Sequence, residues 1–196
     1  MPNYRKTMDY FTISSAADAA DFGDAVQYGT SPAGCSSLTK AFFSGAFASW
    51  ASPKYSNVTS EFTFASTGDA SDVGDVTQGF SNAAESSGST EARVITKFGG
   101  RDRLSGTARF MDEIHYMNPA SAGNSTDFGD LSIATMAGGS GNGVRMVSGG
   151  GTDEGGAADT DYDSDIHYIT IASTGNATES SGTLPFQKKH SVGWTA

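Results

Sequence analysis

The chain alternates short runs of aromatic and β-branched residues with turns rich in glycine, serine and asparagine. In the run HYITI, from His167 to Ile171, apolar and polar side chains alternate as they do in a half-buried strand. A Gly-Asn or Gly-Asp pair follows such runs, and these residues tolerate the positive φ angles of tight turns. No stretch combines helix caps with apolar residues spaced three and four apart, and turn residues recur about every eight to twelve positions. The pattern therefore predicts an all-β fold.

One phrase of this pattern occurs four times along the sequence. The clearest copies lie at 114–131 and 166–178, and further copies lie at 8–24 and 60–75. Matching aromatic residues are spaced 52, 54 and 52 residues apart, at Tyr10, Phe62, Tyr116 and Tyr168. A repeat of this length forms one structural unit that shares its core with its neighbours. We therefore predict a single domain over residues 1–196, built from repeats at about 8–50, 51–100, 101–150 and 151–196.

The first and third repeats carry a Phe-Gly-Asp element after the first turn, at 22–24 and 128–130. The aromatic side chain is expected to be buried, the glycine to allow a close backbone approach, and the aspartate to cap the turn. A second apolar stretch then leads into a glycine-rich segment at 138–143, which is typical of a loop. A third stretch ends in two glycines, at 99–100 and 149–150. The second copy has Val73 in place of the aromatic residue, and the fourth copy lacks the Phe-Gly-Asp element.

These features carry a resemblance to a known repeat. A strand that closes on two glycines, followed by a variable loop, an aromatic-bearing strand and a turn, resembles the kelch repeat of β-propellers. The phrase YxTIASTGNAT with DFGDL is similar to tandem repeats in virion structural proteins of tailed phages, especially those of marine and cyanobacterial hosts. The resemblance covers nearly the whole chain and implies four propeller blades, the last of them incomplete in sequence. The N-terminal segment 3–7 could supply the missing strand; a larger ring or an open array completed by other chains is the alternative.

Composition and charge narrow the classes of function. The 22 acidic and 12 basic residues give a formal charge of −10, which disfavours binding to a nucleic-acid backbone of the same sign. The N-terminus lacks the apolar stretch of a signal peptide, and no segment is long and apolar enough to cross a bilayer. The single cysteine, Cys35, excludes an internal disulfide and is expected to be a small buried residue. We therefore expect a chain made in a cytoplasm, with no nucleic-acid partner and no membrane insertion.

An acidic run precedes the last copy of the phrase. Carboxylates stand at every second position there, at Asp159, Asp161, Asp163 and Asp165, and hard oxygen ligands of this kind suit calcium. The run lacks the turn glycine and the final glutamate of the helix-loop-helix calcium motif. A solvated loop between strands is therefore expected, with a calcium site as the alternative, and no cofactor is predicted.

Other residues that could carry chemistry fit positions in the repeat. His115 and His167 stand at equivalent places, just before the tyrosine, which favours a structural role over a metal-binding or catalytic one. No Gly-x-Ser-x-Gly nucleophile motif is present, and segment 138–143 leads to no helix that could complete a phosphate site. Asn124 and Asn176 lie in glycosylation-type triplets, but within the turn phrase, where asparagine serves the turn. No catalytic residue is predicted, and the protein is not expected to be an enzyme.

Aromatic residues that do not repeat are the candidates for an interaction surface. They are Phe42, Phe43, Phe47, Trp50 and Trp194. Large aromatic side chains contribute a disproportionate share of interface energy, although core packing is an equal alternative for these five. Together with the resemblance, they indicate a non-enzymatic virion structural protein, a capsid decoration or knob or a tail or fibre component, that contacts other capsid or tail subunits. Its expected location is the virion, assembled in the host cytoplasm; the alternative is a module that binds a host-surface carbohydrate.

Overall fold

A computed structural model describes residues 5–15, 17–48, 54–81, 90, 92–102, 109–153 and 162–186. These residues form thirteen β-strands and no helix, which confirms the predicted all-β class. The strands are β1 (Thr7–Tyr10), β2 (Ala20–Asp24), β3 (Ala33–Ser36), β4 (Lys40–Phe47), β5 (Tyr55–Thr63), β6 (Ser71–Asp75), β7 (Val94–Asp102), β8 (Arg109–Met117), β9 (Thr126–Asp130), β10 (Thr135–Gly141), β11 (Arg145–Asp153), β12 (Tyr162–Thr170) and β13 (Thr178–Thr183). Over the same residues, no helix is present that could span a membrane.

The strands form four antiparallel sheets that follow one another along the chain. Sheet 1 contains β1 and β2, sheet 2 contains β3 to β6, sheet 3 contains β7 to β9, and sheet 4 contains β10 to β13. The sheets are out of phase with the predicted repeats, because the repeat at 8–50 contributes two strands to sheet 1 and two to sheet 2. As a result, the sheet with fewest described strands is the first one, whereas the sequence predicts an incomplete last unit.

Two predictions about individual segments change. The candidate closing strand 3–7 lies partly outside the described residues, and Thr7 begins β1, which pairs with β2 rather than with sheet 4. Most of the glycine-rich segment 138–143 belongs to β10, where four of its residues pair with β11. Backbone hydrogen bonds need no side chain, and small residues allow this largely buried strand to pack closely against its neighbours. The turn itself begins at Asn142, whose side-chain oxygen accepts the backbone N–H groups of Val144 and Arg145.

Apolar cores lie between successive sheets. The core between sheets 3 and 4 consists of Ile95, Phe98, Ile114, Phe128, Leu131, Met146, Ile169 and Ile171. The core between sheets 2 and 3 consists of Cys35, Phe42, Val73, Val94 and Met117. Each large apolar side chain buried in this way stabilises the fold by about 1.5–3 kcal/mol. Burial also raises the pKa of Cys35 to about 12, so its thiol stays protonated, in agreement with the predicted buried residue.

Candidate interaction site

Strand pairing identifies which residues are equivalent in the four sheets. Tyr10, Tyr116 and Tyr168 are equivalent, because each pairs with the first residue of the following strand. In sheet 2, the residue that pairs with the first residue of the following strand is Glu61. The predicted alignment, which used Phe62, is therefore wrong by one residue in sheet 2. The spacings between Tyr10, Glu61, Tyr116 and Tyr168 are 51, 55 and 52 residues. Phe62 corresponds instead to Met117 and Ile169, with which it shares near-complete burial. Tyr10 is 43% exposed, whereas Tyr116 and Tyr168 are half-buried, and Tyr116 packs against the core between sheets 3 and 4.

In sheets 2 to 4, a basic residue lies against this position, and it stands at or just before the start of β4, β7 and β11. The guanidinium groups of Arg93 and Arg145 lie 4.8 and 4.9 Å from the ring centroids of Tyr116 and Tyr168. In sheet 2, Lys40 Nζ lies 2.9 Å from a carboxylate oxygen of Glu61. A cation is attracted by an aromatic face as well as by a carboxylate, and this explains how glutamate takes the place of tyrosine.

The same basic residues also bind the next sheet. Lys40 Nζ donates a hydrogen bond to the carbonyl oxygen of Pro119 at 3.1 Å, and Arg93 Nη1 donates one to the carbonyl oxygen of Ile171 at 3.0 Å. Pro119 and Ile171 hold equivalent places, three residues after the tyrosine, in the last turn of sheets 3 and 4. Each basic residue therefore joins two successive sheets. Arg145 holds this place in sheet 4, which is the last described sheet.

A backbone clasp joins the sheets at their last strands. Gly175 N–H and Ala177 N–H of sheet 4 donate to the carbonyl oxygens of Phe128 and Asp130 in β9, at 2.7 and 2.8 Å. Asn176 Oδ1 accepts the N–H of Asp130 at 3.1 Å. The same three bonds join sheet 3 to sheet 2 through Gly123, Asn124 and Ser125. They join sheet 2 to sheet 1 through Gly68, Asp69 and Ala70. Turn asparagines thus hold neighbouring sheets together, which extends the structural role predicted for Asn124 and Asn176.

The Phe-Gly-Asp element is the other half of this clasp. Gly129 has a φ of +144°, and a Cβ atom there would lie 2.4 Å from the carbonyl oxygen of Gly175. Its N–H is held by Asp127 Oδ1 at 3.0 Å, so the capping carboxylate precedes the phenylalanine rather than following the glycine. The sequence predicts the close approach correctly, but the capping residue differs from the predicted one. We refer to the clasp, the basic residue and the apolar core between two successive sheets together as the inter-sheet joint.

A buried polar cluster lies in sheet 3 and at its contact with sheet 2. Lys97 is fully buried, pairs with Glu113, and has its Nζ atom 5.5 Å from the ring centroid of Phe80. Gln78 donates a hydrogen bond to the buried carboxylate of Asp102. Lys97 was not among the predicted site residues, and its signal in the sequence is a lone cation within the apolar strand VITKF. Such a cation is buried only with an acidic partner.

The pKa values in this cluster follow from burial and from the ion pair. Burial lowers the pKa of Lys97, and the hydrogen bond and charge of Glu113 oppose that shift. Burial raises the pKa of Glu113, but the hydrogen bond and charge of Lys97 outweigh it, so the net shift is downward. Burial and the charge of Lys97 lower the pKa of His115. A shifted lysine beside a histidine can be catalytic, but Lys97 is 0% exposed, so a substrate cannot touch its amine while sheet 3 is intact.

The two histidines bridge successive sheets. His167 is 1% exposed and its Nε2 lies 2.7 Å from Ser132 Oγ, in the segment that leaves sheet 3. His115 Nε2 lies 3.4 Å from Thr77 Oγ1, in the segment that leaves sheet 2. Ser60 holds the equivalent place in sheet 2, where its Oγ accepts the N–H of Val26 at 3.3 Å. The contacts agree with the structural role predicted for both histidines.

The candidate interface aromatics do not form one surface. Phe42 is 0% exposed and belongs to the core between sheets 2 and 3, which agrees with the alternative of core packing for this residue. Its equivalent in sheet 3 is Ile95, and the absence of an aromatic repeat concealed its core role. Phe43 and Phe47 are half-buried and pack edge to face against Phe62 and Tyr55. Trp50 and Trp194 lie outside the described residues.

The acidic run is described only in part. Asp159 and Asp161 lie outside the described residues, whereas Asp163 and Asp165 belong to β12. Asp163 Oδ1 accepts the N–H of Asp165 at 2.9 Å, and burial together with the charges of Asp163 and Glu179 raises the pKa of Asp165. In the described part of the chain, no three histidine, cysteine, aspartate or glutamate side chains are grouped as metal ligands.

Exposed apolar side chains gather at one end of the sheets. The turns between first and second strands and between third and fourth strands lie at the same end, because the strands are antiparallel. We call this end the turn face; its exposed apolar residues are Ile13 (93% exposed), Leu38 (83%), Phe11 (65%), Val144 (63%) and Phe64 (51%). The N–H of Phe64 donates to the carbonyl oxygen of Thr39 at 2.9 Å, so the turns that carry Leu38 and Phe64 are held together. At the opposite end, Tyr28 is 51% exposed.

Comparison with known proteins adds information on the fold. No known protein family and no curated protein matches the chain. Among solved structures, the structure of YjhT superposes on 90% of this chain with a TM-score of 0.69 and 15% sequence identity. The match covers 51% of the YjhT chain, so this chain spans about half the length of YjhT. At this identity, the likeness shows that the two chains share an all-β fold.

Proposed function

We propose that the chain is a kelch-like β-propeller array and a non-enzymatic structural protein of a phage virion, where it contacts other capsid or tail subunits. The repeat phrase and its resemblance to virion repeats support the viral setting. The observation that supports a role in protein contacts is the turn face, where Leu38 and Phe64 expose apolar surface to solvent. Contiguous exposed apolar surface is typical of protein interaction sites.

The turn face has the properties of a preformed binding surface. Leu38 and Phe64 stand on two turns joined by a backbone hydrogen bond, so little conformational entropy is lost when a partner covers them. The Leu38 turn is fixed further by Ser37 Oγ, which accepts the N–H groups of Thr39 and Lys40 at 3.2 Å. Polar turn residues surround the two apolar side chains, as the rim of an interface surrounds its centre. We expect Leu38 to be the residue on which binding depends most.

A second candidate function is binding of a host-surface carbohydrate. The observation that favours it is Tyr28, whose side chain is 51% exposed at the end opposite to the turn face. An exposed aromatic ring can stack on a sugar ring, and nearby side chains can bind hydroxyl groups. The two candidates place the functional residues at opposite ends of the same sheets, so they predict different mutational effects.

The two functions are separated by incorporation of variants into phage particles. Leu38→Glu and the control Tyr28→Ser are each expressed during infection, and the amount of protein per washed particle is measured. We expect wild type and Tyr28→Ser to be retained at fixed stoichiometry and Leu38→Glu to be reduced at least about tenfold, as expected for loss of about 1.4 kcal/mol of binding. Finding the wild type only as free protein overturns the virion proposal. Binding of host lipopolysaccharide that is lost in Tyr28→Ser supports the carbohydrate function instead.

A further inference from the structure

The first sheet exposes residues that its equivalents bury. Phe11 follows Tyr10 in β1 and is 65% exposed, whereas the equivalent residues Phe62, Met117 and Ile169 are 4%, 4% and 2% exposed. In sheets 3 and 4 these equivalents pack against the preceding sheet. Ile13 is 93% exposed, whereas its equivalents Phe64 in sheet 2 and Ile171 in sheet 4 are 51% and 0% exposed. Sheet 1 therefore presents the half of an inter-sheet joint that faces a preceding sheet.

The last sheet exposes the complementary half. Val147 pairs with Tyr168, just as Phe42 pairs with Glu61 in sheet 2 and Ile95 pairs with Tyr116 in sheet 3. Val147 is therefore the equivalent of Phe42 and Ile95. Phe42 and Ile95 are 0% exposed because the next sheet covers them, but Val147 is 43% exposed. Arg145 is exposed and stacks on Tyr168. Within the described residues, no later sheet offers Arg145 the carbonyl group that Lys40 and Arg93 each bind in the next sheet.

We propose that a second copy of the chain binds head to tail, with sheet 4 of one copy against sheet 1 of the next. In this joint Val147 packs on Phe11, and Arg145 donates a hydrogen bond to the carbonyl oxygen of Ile13. Both contacts repeat those of the internal joints. Terminal units of repeat proteins normally carry polar outer faces, whereas the first and last described sheets expose Phe11 and Val147. In the described part of the chain, no core cluster or backbone hydrogen bond joins sheet 1 to sheet 4 of the same chain.

The joint between copies lacks the backbone clasp. Ala17 stands where the internal turns have Gly68 and its equivalents, and its N–H donates to the carbonyl oxygen of Ser15 in the same turn, at 3.0 Å. In β13, the residues Ser180 to Gly182 replace the Phe-Gly of β9, and none of them has a positive φ. Side chains alone therefore hold the two copies, and we expect association to be reversible and dependent on protein concentration. Two different surfaces meet in this contact, so it is heterologous.

Sedimentation velocity of the purified full chain tests this inference, which goes beyond the virion proposal because no particle is involved. We expect the mean mass of the wild type to rise with concentration. Phe11→Asp and Val147→Asp should each remain monomeric, whereas their equimolar mixture should form dimers and nothing larger, because each variant keeps one intact half. Ala120→Asp, at an exposed position in the last turn of sheet 3, is the control and should associate like the wild type. A wild type that stays monomeric, or an associating wild type whose mixed variants stay monomeric, overturns the inference.

A cross-link distinguishes a second copy from closure within one chain. In the double variant Phe11→Cys, Val147→Cys, oxidation should give species at multiples of the chain mass on a non-reducing gel. Cys35 is buried with a raised pKa and should not react, and Phe11→Cys alone is the matched control. A disulfide that forms within single chains would show that sheet 4 closes on sheet 1 of the same chain, and it would overturn the proposed second copy.

Discussion

Replacement of Gly129 by alanine tests whether the backbone clasp fixes the packing of successive sheets. Gly129 has a φ of +144°, and a Cβ atom there would lie 2.4 Å from the carbonyl oxygen of Gly175. This oxygen belongs to the main chain of sheet 4, so it cannot rotate away as a side-chain atom would. The substitution therefore introduces both backbone strain and a collision between two sheets.

The two costs can be separated with a second variant. A residue other than glycine in a sparsely populated φ region costs about 1–3 kcal/mol. Overpacking in a tightly packed region adds about 1–3 kcal/mol. We therefore expect Gly129→Ala to lower the free energy of unfolding by about 2–6 kcal/mol, a large part of the roughly 5–15 kcal/mol of a typical domain. Gly175 has a φ of +151° but no atom within 4 Å of its added Cβ, so Gly175→Ala should cost only the strain.

Denaturant unfolding of the wild type and three alanine variants measures these differences. Gly182→Ala is the control, because its φ is not positive and the nearest atom to its Cβ is Ser180 Oγ at 3.8 Å. Its effect should stay below about 0.5 kcal/mol. The expected order of destabilisation is Gly129→Ala, then Gly175→Ala, then Gly182→Ala. Equal losses for the first two variants would show that the sheets do not approach each other as closely as the clasp requires.

Three further predictions concern the buried charges and the acidic run. Burial holds the pKa of His115 below its ordinary value. As pH falls, the imidazole of the unfolded chain is therefore protonated at a higher pH than that of the folded chain. Unfolding free energy should therefore fall as pH drops below about 6.5, and His115→Asn should flatten a urea-unfolding profile between about pH 7.5 and 5; an unchanged slope contradicts the assignment. Glu113→Gln should cost about 2–4 kcal/mol and Lys97→Met under about 1, because only the first leaves a buried cation unpaired; equal losses would argue against that asymmetry. Chelator should leave the thermal midpoint unchanged if the acidic run is a solvated loop, and a fall of several degrees would indicate a bound ion.

The fold class was predictable because its signals are local. Alternation in a run such as HYITI and the following Gly-Asn pair each depend on a few neighbouring residues, and they determine strand and turn without reference to the rest of the chain. The grouping of strands into sheets was not predictable in the same way. A periodic sequence can be divided at any point of its period, and only the strand pairing shows that sheets end after the Phe-Gly-Asp element.

The alignment of the second repeat failed for a chemical reason. Sheet 2 has Glu61 where the other sheets have tyrosine, and the aromatic residue nearest to that position is its neighbour Phe62. The distance to the turn glycine was the better signal, because Glu61, Tyr116 and Tyr168 each precede it by seven residues. What the repeat preserves is attraction to a cation, and a carboxylate paired with Lys40 satisfies that requirement as well as a ring does.

The candidate site was the least predictable part, because it lies where the repeat has no neighbour. Phe11 and Val147 resemble core residues in sequence, but no described sheet covers them. The residues of a clasp between sheets 1 and 4 are missing from both sheets. The clasp needs one glycine in the turn of one sheet and another in the facing strand of its neighbour, so a sheet that lacks the first glycine does not require the second. Internal joints combine main-chain and side-chain contacts, whereas a joint between copies has side chains alone. We therefore expect copies to separate under conditions in which each chain remains folded.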